Sequence, residues 1–505
     1  MLHLHVHMWS PSLPWSADAA TERAGGRCSA SRITGDVAWE TLVAPHPLLS
    51  VAQLERQALE QPLSSEQRRA WRGLLRALAT PRRRVSAVAV GGSVPSGTTC
   101  VDRALGLPRG SKDQERACAY PSRFARWLWA VHCRSSATTF FANRALGGTT
   151  TAGALPMLPL MVADVEEAGQ EGDKHGRAAD MLLVDFAVND HYAEQDWGTS
   201  PRDSTRSAPS RAWAVEAATE VLLRHVLSSS PHTAVLLYEG TCITNETKLA
   251  HERIARRYGV PFVSYGDALS ECSRITTWTA AHAHPSLTTH RYLADALAFW
   301  WRAFARRLQA ELSTSTVDAS LLHPSRSAPI SEPTLLRRYE ICEAVREYDA
   351  MSAWQSRAAS SSALAATSAV AGVELGGGNW ALNADRLGKP GWIGSEQNSS
   401  LHFALSVGAS PRATLVFERS YTGFGTARVD IFCHGQRHDS GRRPTWRHLA
   451  TLDGLRRDGK NVTLASVETV NLRQKGVLPH SNCTLRLTIS SDAPLKFKLR
   501  HVSSC

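Results

Sequence analysis

The sequence predicts an α/β domain with a mostly parallel sheet, followed by a smaller antiparallel β-sandwich. The first observation is a series of short apolar runs that alternate with helical segments, which is typical of repeated β-α-β units. The second is a change to two-residue alternation beyond Gly372, which indicates strands with one buried face. The strands predicted for the first domain are 85–90, 137–142, 181–188, 234–238 and 261–264.

Helical spacing of apolar residues fills the intervals between these runs. Because parallel strands need crossover connections, these helices are expected to cover both faces of the sheet. The predicted helices are 53–80 before the first strand, then 122–132, 154–162, 212–227, 246–258 and 288–312.

The C-terminal part has a different composition. Residues 313–372 are rich in Ser, Ala and Pro, which indicates a linker, with a short helix predicted around 335–351. Six short alternating runs follow and predict a sandwich. The predicted boundaries are an N-terminal extension (1–80), an α/β domain (81–312), the linker (313–372) and the β domain (373–505). The six runs are 401–405, 413–417, 428–432, 462–464, 485–489 and 496–499.

The charge balance does not indicate a nucleic-acid-binding protein. The 505 residues include 57 Lys or Arg and 46 Asp or Glu, a net charge of +11. Most of the basic residues are Arg, and their short runs, such as 81–84 and 442–443, are scattered. A nucleic-acid interface more often concentrates charge on one helix or tail. We therefore expect no nucleic-acid partner. No apolar stretch approaches the roughly 18 residues that a membrane-spanning helix needs.

The cysteines favour an oxidising compartment. Their number is even and none forms a Cys-x-x-Cys pair, which permits disulfides and disfavours a zinc ribbon. Four Asn-x-Ser/Thr sequons begin at Asn245, Asn398, Asn461 and Asn482. We expect a protein of the secretory lumen or the cell exterior, although residues 1–15 show no signal-peptide pattern. The cysteines are Cys28, Cys100, Cys118, Cys133, Cys242, Cys272, Cys342, Cys433, Cys483 and Cys505.

Polar and glycine-rich blocks follow three of the predicted strands and precede the last predicted helix. Residues 91–97 read Gly-Gly-Ser-Val-Pro-Ser-Gly, and residues 143–150 contain the pair Gly147-Gly148. Asn189-Asp190 follows the third strand, and His284-Pro285 precedes the last helix. In parallel sheets, the loops at the carboxyl ends of the strands form the ligand crevice. The four blocks are therefore expected to meet at one edge of the sheet.

These four blocks, in this order across residues 85–308, resemble the SGNH (GDSL-type) hydrolase superfamily. The chain has Gly92 where the family more usually has Asp before the serine, which looks like a branch whose members carry a C-terminal β-rich domain. The resemblance implies a flavodoxin-like three-layer α/β/α domain. It also implies Ser93 as nucleophile, His284 as base, and an oxyanion hole made by the amides of Ser93 and Gly148 (or Gly147) and the side chain of Asn189.

Elementary chemistry supports each of these roles. A serine hydroxyl is a poor nucleophile until a base such as His284 removes its proton, and a tight Gly-flanked turn can expose Ser93. Negative charge develops on the carbonyl oxygen during acyl transfer, and preorganised donors stabilise it.

The sequence departs from the family three residues before the histidine. The family places an Asp there to orient the imidazole, and this chain has Ala281. Three interpretations follow. A Ser93–His284 pair can work with a backbone carbonyl or a distant carboxylate; the protein can be an inactive glycan-binding or cell-surface-binding descendant; or another base, such as His282, can replace His284.

Other polar residues near the blocks are interpreted as structural. Asn143 and Asp190 are expected to cap loops through side-chain to backbone hydrogen bonds. His251 and His290 are expected on helix surfaces or in loops. The alternation His3, His5 and His7 is a weak metal pattern, and neither a metal nor a cofactor is predicted.

The sequence therefore predicts a serine esterase that acts on an acylated glycan or a similar small ester. The carbohydrate part rests on the resemblance and on the attached β-sandwich, because a fold alone does not fix a function. Water and a sugar hydroxyl compete for the same acyl-enzyme, so an O-acyltransferase is an alternative. A non-catalytic glycan-binding protein is the second alternative.

Overall fold

The structure is a computed structural model that describes the larger part of the chain. The described residues are 49–108, 111–162, 178–196, 210–242, 246–269, 284–313, 331, 341, 346–359, 370–386, 388–434, 445–457, 461–490 and 495–505.

Five parallel strands form the sheet of the first domain, as predicted. Their spatial order is β2-β1-β3-β4-β5, the flavodoxin-like order that the resemblance implies. Neighbouring strands run parallel throughout. The strands are β1 (Val85–Gly91), β2 (Thr139–Asn143), β3 (Met181–Asp185), β4 (Ala234–Glu239) and β5 (Phe262–Ser264).

Helices cover both faces of this sheet and complete three layers. Alternate residues of β1 separate into two cores: Ala87 and Ala89 face α1, α2, α4 and α10, whereas Val88 and Val90 face α5, α6, α8 and α9. The helices are α1 (Val51–Glu60), α2 (Ser65–Ala79), α3 (Lys112–Cys118), α4 (Tyr120–Val131), α5 (Thr151–Ala154), α6 (Leu158–Val162), α7 (Ala187–Asp196), α8 (Ser210–Ser229), α9 (Glu246–Tyr258) and α10 (Leu287–Ser313).

The helix predicted at 53–80 is two helices, α1 and α2. Pro62 restricts the preceding residue to extended backbone, and Gln61 ends α1 with ψ 129°. Ser64 then caps α2, because its Oγ accepts a hydrogen bond from the Gln67 amide at 3.1 Å. Both helices pack into the same core as α10, so this N-terminal segment covers one face of the sheet.

The third strand is shorter than predicted. It ends at Asp185, and α7 begins at Ala187, so that Asn189 and Asp190 lie in the first turn of a helix. Asp185 Oδ1 accepts a hydrogen bond from the Ala187 amide at 3.3 Å, which supports the change of direction. The predicted strand 181–188 therefore ran past the end of β3 into the first turn of α7, which is where these two residues lie.

The C-terminal domain consists of two antiparallel sheets around one apolar core, as predicted. The first sheet has the order β13-β12-β15-β10-β7, and the second has the order β14-β11-β16-β9-β8, with β6 beside β16. The strands are β6 (Arg346–Asp349), β7 (Val373–Leu375), β8 (Ala381–Asn383), β9 (Gly391–Gly394), β10 (Ser400–Ser406), β11 (Arg412–Arg419), β12 (Thr426–Cys433), β13 (Arg447–Asp453), β14 (Leu464–Asn471), β15 (Asn482–Ile489) and β16 (Phe497–Ser504).

The helix predicted around 335–351 is wrong for residues 346–349. These residues form β6 and pair antiparallel with the final strand, with Val502 opposite Tyr348. The helix α11 (Ala350–Ala359) follows directly. A partner more than a hundred residues away decides this pairing, which local sequence patterns do not reveal.

Disulfides connect cysteines within each domain. Cys100 is bonded to Cys118 beside the first loop of the sheet, and Cys433 is bonded to Cys483 between β12 and β15. No cysteine among the described residues is free. Such bonds form in oxidising compartments, which is compatible with an extracellular protein. In the described part of the chain, no helix is long and apolar enough to cross a membrane.

We expect Trp71→Ala in α2 to destabilise the α/β domain by about 3–5 kcal/mol. The Trp71 ring is fully buried and lies 5.1 Å from the Phe304 ring and 6.0 Å from the Trp300 ring, both on α10. Urea unfolding followed by circular dichroism measures the change. Leu59→Ala on the exposed side of α1 is the control, with a change within about 0.5 kcal/mol. Equal effects of the two substitutions would show that α2 is not part of the core.

Candidate active site

The loop after β1 lies directly on the end of β3. The Gly92 amide donates to the Asp185 carbonyl at 2.9 Å, and a Cβ on Gly91 would come within 2.1 Å of the same oxygen. Glycine is therefore required where the two backbones approach. Beyond it, the Ser93 carbonyl accepts from the Thr98 amide at 3.2 Å and from Ser96 Oγ at 2.8 Å. These bonds fix the turn that carries Ser93, whose side chain is nearly buried.

Asn189 contacts the candidate nucleophile. Its Oδ1 accepts a hydrogen bond from the Ser93 amide at 2.8 Å and lies 3.4 Å from Ser93 Oγ. An N–H donor requires the oxygen end of the side-chain amide, so this bond fixes Nδ2 as the end that can donate elsewhere. A Cβ on Gly92 would lie 1.9 Å from Asn189 Oδ1. The absence of a side chain at Gly92 therefore leaves the room that Asn189 occupies.

The loop after β2 is attached to the loop that carries Ser93. The Leu146 amide donates to the Gly91 carbonyl at 2.9 Å, and Asn143 Nδ2 donates to the Pro95 carbonyl at 2.7 Å. Asn143 thus makes the side-chain to backbone bond expected of a structural residue. Gly148 adopts a φ of +81°, in the left-handed region that favours glycine. Three of the four predicted blocks therefore meet at the carboxyl edge of the sheet.

Asp190 belongs to a buried network on the far side of α7. Its Oδ1 accepts from the Thr151 amide at 2.8 Å, and its Oδ2 accepts from Thr151 Oγ1 at 2.5 Å. His251 Nε2 lies 3.1 Å from Oδ2. These bonds anchor α5 against α7 and α9, which is a structural role, as the sequence indicated for Asp190. The expectation of a surface position for His251 was wrong, because His251 is buried.

His284 lies at the start of the segment that leads into α10. It is half-buried, and its charge acts on His290, a fully buried residue of the first turns of α10. Burial, with a smaller effect of Arg123 and His284, lowers the pKa of His290 to about 3. His290 is therefore neutral at physiological pH and part of the core, not the loop or helix surface that was predicted. Ala281 and the alternative base His282 lie outside the described residues.

A buried polar network near the loop that carries Ser93 was not predicted from the sequence. Tyr120 Oη donates to Asp185 Oδ2 at 2.8 Å, and the Gly240 amide also donates to this carboxylate. The Tyr120 ring stacks on the ring of His290 at 6.3 Å. Burial raises the pKa of Asp185 to about 6, against the hydrogen bonds from Tyr120 and the amides. The network connects the end of β3 to α10, near His284. The feature of the sequence that could have indicated this network is Asp185, an acidic residue at the end of a central apolar strand.

The described residues do not group three His, Cys, Asp or Glu side chains as a metal site would require. The alternation of His3, His5 and His7 lies outside the described residues. At this edge of the sheet the structure brings together a serine hydroxyl, backbone amides and a carboxamide.

Solved structures similar to the chain include carbohydrate esterases and GDSL-like lipases. A two-domain esterase active on acetylated mannans is similar over 88% of this chain and 96% of its own, with 15% identity and a TM-score of 0.48. A GDSL-like lipase from Bacteroides ovatus is similar over 44% of this chain and 99% of its own, with 12% identity and a TM-score of 0.27.

The β-sandwich region has its own structural similarity. The CBM36-1 domain of a multidomain xylanase from the hindgut metagenome of Trinervitermes trinervoides is similar over 26% of this chain and 88% of its own length, with 14% identity and a TM-score of 0.18. No family model and no curated protein matches the sequence. The roles of individual residues in this chain therefore rest on their own geometry.

We expect Asp185→Asn to change how stability depends on pH. The folded-state pKa of Asp185, about 6, lies above the ordinary pKa of an aspartate, 3.8, so the folded protein binds the extra proton between these values. The contribution of this group to the free energy of unfolding is therefore present below pH 4 and falls as the pH rises to about 6. Urea unfolding at pH 4 to 7 should show this fall in the difference between wild type and Asp185→Asn.

Tyr120→Phe is the matched control for this measurement. It removes a hydrogen bond that lowers the pKa of Asp185, so the falling part of the curve should move to higher pH. Parallel stability curves for wild type and Asp185→Asn would contradict the assignment.

Proposed function

We propose that the protein is a serine esterase of the SGNH type that acts on an acylated carbohydrate or a similar ester. The observation that carries this proposal is the bond between the Ser93 amide and Asn189 Oδ1, which holds a nearly buried serine beside a carboxamide at the carboxyl edge of the sheet. This is the position in which α/β sheets of this kind bind ligands. The glycine-lined loop leaves room for a substrate carbonyl to approach.

In the proposed reaction, Ser93 Oγ attacks the ester carbonyl carbon while His284 takes the hydroxyl proton. The C–O bond that forms gives a tetrahedral intermediate, and its collapse breaks the bond to the alcohol, which leaves with the proton from His284. Water then repeats the sequence on the acyl-Ser93 ester and releases the acid. Pro285, next to His284, restricts the loop that presents the base.

The proposed oxyanion donors are the amides of Ser93 and Gly148 and the side chain of Asn189. Asn189 Nδ2 is the donor end because Oδ1 is already engaged with Ser93. The Ser93 amide can contribute only if its bond to Asn189 lengthens or becomes shared when the oxyanion forms. The Asn189 side chain therefore couples two of the three donors.

Two variations of the same chemistry follow from Ala281. Without the orienting Asp, a carbonyl or a more distant carboxylate has to hold the His284 ring. If no group holds the ring, the protein is an inactive glycan-binding protein. A sugar hydroxyl in place of water would make the protein an O-acyltransferase. We place the protein in the secretory lumen or the cell exterior, where its disulfides persist.

We expect Ser93→Ala to abolish labelling by a fluorophosphonate probe, which reacts with activated serines. Wild type should be labelled, and so should the control Ser122→Ala, a buried serine of α4 whose Oγ donates to the Arg116 carbonyl. In-gel fluorescence with circular dichroism of the same samples gives the measurement. Folded wild type that takes up no label would falsify the enzyme proposal and favour the binding protein.

The acceptor and the substrate are tested with the same preparations. Acetylated mannans are a suitable first substrate, since a solved esterase with a similar structure is active on them. Release of free acetate that depends on Ser93 supports the esterase. Transfer of labelled acetate to an added acetyl-free glycan, with little free acetate, would instead support the O-acyltransferase.

We expect Asn189→Asp to lower kcat by a factor on the order of 10²–10³, the usual cost of losing one oxyanion donor. Aspartate keeps an acceptor for the Ser93 amide but has no Nδ2 donor, so the loop should keep its shape. Asn189→Ala removes both and should lower the melting temperature as well. Initial rates and thermal melts of both variants separate the two roles. A kcat of Asn189→Asp close to wild type would exclude Asn189 from the oxyanion hole.

A further inference from the structure

The loop Gly147–Thr149 carries the proposed donor Gly148, and it is held by the C-terminal domain. The Ala465 amide of β14 donates to the Gly148 carbonyl at 2.7 Å. The space beside the Gly148 Cα is filled by the Thr463 carbonyl, which would lie 2.7 Å from an added Cβ. The sandwich therefore lies directly against the backbone of this loop.

Arg500 of β16 contacts both neighbours of Gly148 in this loop, Gly147 and Thr149. Its Nη1 lies 3.3 Å from Thr149 Oγ1, and its Nη2 lies 3.5 Å from the Gly147 carbonyl oxygen. Thr149 is fully buried and Arg500 is 6% exposed, so water hardly competes for these contacts. The planar guanidinium holds its donors in one rigid fork, whereas the donors of a lysine ammonium share a single nitrogen at the end of a flexible stem.

Glu418 of β11 fixes the guanidinium in this orientation. Its Oε1 accepts from Arg500 Nε at 2.8 Å and also from Nη2. Lys498 Nζ lies 3.2 Å from the same carboxylate and donates to Asp385 at 2.6 Å. Although burial opposes it, the cations of Arg500, Lys498 and Lys389 lower the pKa of Glu418 to about 2. The carboxylate therefore stays charged and keeps its hold on Arg500.

We propose that Arg500 is a positioning residue for the active site: from the sandwich domain, held by Glu418, it fixes the backbone of Gly147–Thr149 so that the Gly148 amide faces the substrate oxyanion. This inference rests on the proposed function. The C-terminal domain is then part of the catalytic unit, in addition to any contact it makes with a glycan. Small displacements of an oxyanion donor are costly, because about 1 Å can reduce a rate about 10²-fold.

The test compares Arg500→Met with a matched control, Arg486→Met. Arg486 also pairs with a buried carboxylate of the sandwich, Asp430, at 3.1 Å, and it lies on the other sheet. Both variants keep a second cation at the carboxylate, Lys498 for Glu418 and Arg428 for Asp430, so both should fold. We expect kcat to fall about 10- to 100-fold in Arg500→Met, with little change in KM, and to be unchanged in Arg486→Met.

Two further variants separate positioning from general stability. Thr149→Val removes only the oxygen that Arg500 contacts, and it should lower kcat about threefold to tenfold without a loss of folded protein. Arg500→Lys keeps the positive charge beside Glu418 but loses the fork, so its kcat should lie between those of wild type and Arg500→Met. If kcat falls together with the melting temperature, and to the same extent in Arg500→Met and Arg486→Met, the inference is wrong.

Hydrogen exchange gives a measurement that does not depend on activity. The amides of residues 146–154 should exchange faster in Arg500→Met than in wild type and Arg486→Met. If wild type has no esterase activity, the proposed function fails while the exchange rates still decide whether Arg500 holds the loop. If wild type is active but Arg500→Met keeps both its kcat and its exchange rates, the inference is wrong and the proposed function stands.

Discussion

The close approach of the loop that carries Ser93 to the end of β3 is the constraint on which the candidate site depends. Two consecutive glycines let the backbone come near enough for the Gly92 amide to reach the Asp185 carbonyl and for the Ser93 amide to reach Asn189. The early start of α7 places Asn189 at that point. A side chain at Gly91 would meet the end of β3, and a side chain at Gly92 would meet Asn189 of α7. The position of Ser93 and the orientation of the carboxamide therefore follow from one steric condition.

The two domains are stabilised internally and joined to each other by different forces. Each has its own apolar cores, and apolar burial is non-directional, so it would tolerate small shifts. Between the domains, a backbone hydrogen bond from Ala465 to Gly148 and the side chain of Arg500, paired with Glu418, join the Gly147–Thr149 loop to the sandwich. Such groups are costly to bury unless every partner is in place. A junction of this kind has one favourable geometry, so it restricts the backbone of this loop more than apolar contact alone would.

Most of the α/β fold could be predicted from the sequence, because strands such as 85–90 and 234–238 are buried on both faces and therefore consist of continuous apolar runs. The four blocks could be found because their positions after strands are local features. Other features depend on distant partners. The strand Arg346–Asp349 exists through its pairing with β16, and Arg500 is held by Glu418, 82 positions earlier. A buried arginine and a surface arginine look alike in a sequence, so the 57 basic residues gave no indication that this one is enclosed.

The place of β16 in the second sheet has a consequence for the order of folding. This strand lies between β11 and β9, also pairs with β6, and is the last described strand to be synthesised. All five strands of the parallel sheet, by contrast, are available once residue 264 has left the ribosome. The serine turn can therefore fold long before the sandwich closes around residue 500. A nascent or truncated chain without β16 would carry a formed Ser93 turn but would lack the contacts that Arg500 makes with Gly147 and Thr149.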